Sequence, residues 1–64
     1  MQNWQASCDD GWTSKIVQAM TIDDAANLVT DELVAHVKLI HNTDMPNDPA
    51  ELHKSVVEHT KAIK

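Results

Sequence analysis

Apolar residues recur at spacings of three and four from Ile22 onward. Ile22, Ala26, Val29, Leu33, Val37 and Ile40 draw one narrow stripe over roughly twenty residues, the pattern of an amphipathic helix. Thr21-Ile22-Asp23-Asp24 marks its start, with a hydroxyl at the N-cap and a carboxylate three residues later beside backbone N–H groups that lack helical partners. His41-Asn42 and Thr43-Asp44-Met45-Pro46 mark its end, because Asn tolerates a left-handed cap and Pro cannot continue a helix. A second helix is predicted from Asp48, where Asp48-Pro49-Ala50-Glu51 joins an N-cap carboxylate to a proline at the first helical position. Leu52, Val56, His59 and Ile63 share one face of it, while Lys54, Glu58 and Lys61 lie away from that face at ion-pair spacings. The short loop from Thr43 to Asn47 predicts that the helices pack as a pair.

Upstream of Thr21 the pattern changes. The segment from Trp12 to Ala19 is rich in β-formers and, if extended, places Trp12 and Ile16 on the same side. Asp9-Asp10-Gly11 is a turn signal of the hairpin type, so Asn3 to Ser7 is expected to pair back as a first strand. The expected fold is therefore α+β: a short N-terminal β-hairpin followed by one long and one shorter α-helix. The alternative is a short helix from Ser14, which would make an all-α three-helix domain.

Composition limits what such a fold can bury. The 64 residues form one domain over 1–64, and Leu, Ile and Val are few, with two Trp and neither Phe nor Tyr. A core this thin calls for further support: a metal, a partner chain or unusually regular helices. Ten carboxylates against five lysines give a formal charge of −5, which repels phosphate backbones and excludes nucleic acid as the expected partner. One cysteine excludes an intramolecular disulfide, and the expected location is cytoplasmic. The N-terminus has no basic, apolar leader, and no run approaches the ~20 apolar residues of a membrane span.

The predicted elements bring particular residues together. Eight extended residues from Trp12 to Ala19 reach ~26 Å, and the helical steps from Thr21 to His36 return ~22 Å. His36 and His41 then come within reach of Cys8 and the Asp9-Asp10 turn. A thiolate, two imidazoles and a carboxylate are the ligand types of a tetrahedral zinc site. The candidate ligands are Cys8, Asp10, His36 and His41, with Asp9 or water as alternatives for the fourth place. His36-x4-His41 lies within the histidine interval of zinc fingers, although residues five apart point ~140° from each other on an ideal helix. Chelation therefore requires the last turn to tighten or unwind, which Asn42 and Pro46 permit. Compared with a two-strand finger, the interval from Asp10 to His36 is roughly double and a second cysteine is missing.

Cys8 with Gly11 and Trp12, then Glu32 to His36 and His41, then Met45-Pro46 and the segment from Glu51 to Ile63 together resemble a group of bacterial and archaeal sequences described as predicted small metal-binding proteins. That resemblance covers most of the chain and implies a cysteine turn, a short strand, a helix ending in H-x4-H and an amphipathic tail helix. The family's second cysteine has no counterpart unless Asp10 replaces it, and the stretch before the histidines is several residues longer here. The family has no established biochemical role.

Each candidate also has a structural explanation. Cys8 suits a small buried apolar site, His36 borders the apolar stripe, His41 suits the carbonyl end of a helix, and Asp10 suits a turn. His53 and His59, six apart, point to different faces and form no chelating pair. Trp4 and Trp12 are expected to fill the core or shield the turn. No orienting group or oxyanion site accompanies Cys8, so an enzyme is not expected. The rival to a structural zinc site is a metal-free helical module that self-associates or offers its acidic face to a basic protein partner. An acidic decoy imitating nucleic acid is a third reading.

Overall fold

The computed structural model describes residues 1–63 and contains, in chain order, β1 (Gln2–Ala6), β2 (Val17–Ala19), α1 (Ile22–Ile40), α2 (Pro49–His59) and β3 (Thr60–Ile63). The strands form one antiparallel sheet in the order β2-β1-β3, with the helices packed against it. This is an α+β fold, and the all-α alternative is not adopted. Both helix starts lie where the sequence marks them. Thr21 Oγ1 accepts the Asp24 N–H at 3.2 Å, and Asp48 Oδ1 accepts the Ala50 N–H at 3.3 Å, with Pro49 opening α2. Each cap satisfies a donor that the helix itself leaves unpaired.

The sheet departs from a simple hairpin in two places. First, α2 stops at His59 and does not continue to Ile63, because Thr60 turns extended (φ −102°, ψ 135°) and the chain pairs with β1 from Ala6↔Thr60 to Asn3↔Ile63. β1 thus gains a neighbour on each side and becomes the central strand. Second, the segment from Trp12 to Ala19 is not one continuous strand. Pairing passes from Ser7↔Thr13 to Trp4↔Val17, so the second strand holds one more residue than the first over that interval. This is a bulge: Ser14 Oγ accepts the Ala6 N–H at 2.9 Å in place of a backbone carbonyl. A one-residue slip reverses the faces of a strand. Ile16 is consequently 58% exposed, and Val17 and Ala19 enter the core.

The core lies between the sheet and α1. Four of its eight buried apolar residues are alanines, Ala6, Ala19, Ala25 and Ala26, which let backbone approach backbone. Val29, Leu33 and Val56 supply its largest fully buried side chains. Trp4 packs at the margin and donates its indole N–H to the Ala19 carbonyl at 3.0 Å. Ile40, the last residue of the predicted stripe, is 65% exposed, and Leu39 is 79% exposed. Length accounts for this: the helix runs ~28 Å at ~1.5 Å per residue, whereas a five-residue strand runs ~17 Å. The end of α1 overhangs the sheet. Among the described residues, no helix is long and apolar enough to cross a membrane.

Truncation in the covered middle of α1 and at its exposed end should therefore differ sharply. Leu33→Ala is expected to cost about 3 kcal/mol, a large share of the ~3–10 kcal/mol typical of a domain this size. Leu39→Ala should change stability by less than ~0.5 kcal/mol. Urea midpoints of the two variants check this.

Candidate metal centre

The overhanging end of α1 meets the turn between the first two strands. In that turn the Gly11 N–H donates to the Cys8 carbonyl at 3.0 Å, and the Cys8 N–H donates to the Trp12 carbonyl at 2.9 Å. Gly11, the chain's single glycine, has φ +94°, a conformation that a side chain at this position would strain. Asp10 Oδ1 accepts the Trp12 N–H at 2.9 Å, an Asx-type bond that fixes the carboxylate. The second oxygen, Oδ2, is left pointing at the helix.

Two histidines meet it there. His36 Nε2 and His41 Nε2 each lie 3.1 Å from Asp10 Oδ2, and Cys8 Sγ lies 3.3 Å from His41 Nε2. One donor atom from each of the four residues lies within 4.8 Å of the others. The five-residue spacing works because the helix ends between the histidines. His36 lies within α1, whereas His41 is its C-cap, with its N–H bonded to the Val37 carbonyl at 3.1 Å and Asn42 left-handed at φ 53°. The imidazoles meet edge to face, their centroids 5.1 Å apart at 81°.

Hydrogen bonding alone does not satisfy this cluster. A ring nitrogen carries one proton or one in-plane lone pair, so His41 Nε2 cannot fully serve both Cys8 Sγ and Asp10 Oδ2. The His36 side chain is only 4% exposed, and its Nε2 has no hydrogen-bond partner. Asp10 Oδ2 is near enough but lies out of line for a bond. An unpaired buried nitrogen costs about 1–3 kcal/mol. A cation among the four atoms would resolve both conflicts. With Zn–S near 2.3 Å and Zn–N or Zn–O near 2.0–2.1 Å, tetrahedral ligands are about 3.6 Å apart for S···N and about 3.3 Å for N···O. The His36–Asp10, His41–Asp10 and Cys8–His41 separations fall a few tenths of an ångström inside those values, and the remaining pairs lie within 4.8 Å.

Charge points the same way. As metal ligands, a thiolate and a carboxylate would carry two negative charges and neutral imidazoles none, so a divalent cation would bring the set to zero. The Asp10 carboxyl is held below its ordinary value of 3.8, chiefly by the Trp12 N–H and then by His36, His41 and the Cys8 thiol, with desolvation opposing them. Trp12 stacks on His36 at a centroid distance of 4.3 Å and an interplanar angle of 12°, covering the buried ring. From the sequence Trp12 is expected in the core or over the turn, without a pairing to His36; an aromatic directly after the turn glycine was the available signal.

The other histidines lie elsewhere. His53 Nε2 is 2.8 Å from Asp23 Oδ1 at the surface, and His59 Nδ1 is 2.9 Å from the Ser55 carbonyl within α2. Asp9 is exposed and does not belong to the cluster. No protein-family model, curated protein or solved structure matches the chain. The functional reading therefore rests on the chemistry of these four side chains.

Asp10 gives the metal-free protein a defined acid response. A carboxyl whose pKa is lowered by folding adds stability that is present above its unfolded value and lost as pH falls through the lower folded value. In the metal-free chain, the Asp10 carboxyl carbon should titrate below 3.8 by NMR. Asp10→Asn should reduce the slope of stability against pH in that acid window.

Proposed function

We propose that this chain is a small metal-binding domain in which Cys8, Asp10, His36 and His41 hold one structural zinc ion. The observation that carries the reading is the buried, unpartnered His36 Nε2, facing a carboxylate oxygen already shared with His41. One sulfur, two nitrogens and one oxygen suit a borderline, tetrahedral ion. All four places are taken by protein groups, as in structural zinc sites. The ion's work is to tie the turn after β1 to the end of α1, two segments some thirty residues apart, and so add folding free energy to an alanine-rich core.

Native mass spectrometry of zinc-loaded protein should find one ion per chain. His36→Ala should weaken binding roughly a hundredfold or more, about 2.7 kcal/mol. Cobalt(II) in place of zinc should give thiolate-to-metal absorption and tetrahedral visible bands, both lost in Cys8→Ala. A bare mass at saturating zinc sinks the assignment.

A second reading, a metal-free module that self-associates, is favoured by the exposed Leu39 and Ile40 at the end of α1. It predicts a mass that rises with protein concentration and is indifferent to chelator.

A further inference from the structure

The proposed site is closed on one side and open on the other. His36 is buried and covered by Trp12, whereas the side chains of His41 and Asp10 are 38% and 31% exposed. Cys8 is half-buried on the open side and is followed by the exposed Asp9, Asp10 and Gly11. It is the chain's single sulfur ligand candidate and the one donor in the set that undergoes thiol–disulfide exchange. With no second cysteine in the chain, an oxidised Cys8 cannot close a disulfide internally. Its disulfide partner must come from outside.

We infer that Cys8 is a modification site for small disulfides, and that its capture by one expels the metal ion. This rests on the zinc assignment above and specifies how that site is emptied. The Cys8 sulfur attacks one sulfur of the incoming disulfide. A new S–S bond forms to Cys8, the old S–S bond breaks, and the departing half leaves as a thiolate that takes a proton from water. Cys8 is oxidised and the departing sulfur reduced, so no further oxidant is required. The ion loses its sulfur ligand. With Sγ only 3.3 Å from His41 Nε2, the added group also occupies space between Cys8 and the imidazole. Asp9 and Asp10 directly follow Cys8 in a chain of charge −5, which favours a cationic disulfide over an anionic one.

The test uses the full chain loaded with zinc and the dicationic disulfide cystamine as the probe, followed by native mass spectrometry and a chromophoric zinc indicator. The expected result is one cysteamine adduct per chain, on molecules that have lost zinc, with at least a tenfold weaker zinc affinity and recovery of binding on adding excess thiol. Adduct-bearing chains that retain zinc overturn the inference and leave the metal site standing, as does absence of any adduct after prolonged exposure. A wild-type chain that takes up no zinc at the outset overturns both.

Discussion

Two segments distant in sequence meet around one carboxylate oxygen, and the organisation of the domain depends on that meeting. Asp10 divides its work: Oδ1 holds the turn by accepting the Trp12 N–H, and Oδ2 faces both imidazoles. A turn fixed by its own backbone bonds thereby presents a preset acceptor to the end of a helix. Preorganisation of this kind matters because a short exposed turn would otherwise lose conformational entropy when it engages a ligand.

The fold explains why such a tie is valuable here. Half of the buried apolar residues are alanines. They allow α1 to lie close against the sheet, but each contributes less apolar area than the Leu, Ile or Phe of a larger core. Polar bonds complete the assembly at its seams, with Ser14 spanning the bulge and Thr60 Oγ1 donating to the Val56 carbonyl at 2.7 Å where helix becomes strand. These bonds set geometry more than they add stability, since exchange with water leaves about 1 kcal/mol for each. The contacts of Cys8 and Asp10 with His36 and His41 lie at the far end of α1, where the helix has already passed beyond the sheet.

Legibility in the sequence followed the range of the determining interaction. Thr21, Asp48 and Pro49 announce helix starts through bonds made within one turn, and those starts are where the structure has them. The proximity of Cys8, Asp10, His36 and His41 was also accessible, from ligand types and from the outward and return lengths of the two segments. β3 was hidden because Ile63 stands four residues after His59 and so continues the helical phase of Leu52 and Val56. Only the vacant side of β1, a non-local feature, makes the strand preferable. The bulge was equally hidden: it depends on a serine hydroxyl replacing a carbonyl in the ladder, and it transfers burial from Ile16 to Val17. Ile40 fits the helical period but lies past the surface that would cover it.

The end of α1 is also electrostatically suited to a cation. Unpaired carbonyls give a helix C-terminus partial negative charge, which favours a positive group within the last turn. His41 occupies that C-cap, while the opposite end of α1 carries Asp23 and Asp24, matching the positive pole there. The thiol and carboxylate therefore do not carry the attraction alone; the helix orientation adds to it. The same argument excludes an anion-binding role for the cluster. An anion would face the Asp10 carboxylate and the negative pole of the helix at once. A cation among these atoms would meet the Asp10 carboxylate oxygen and the unpartnered His36 Nε2 together, with the negative pole of the helix behind them.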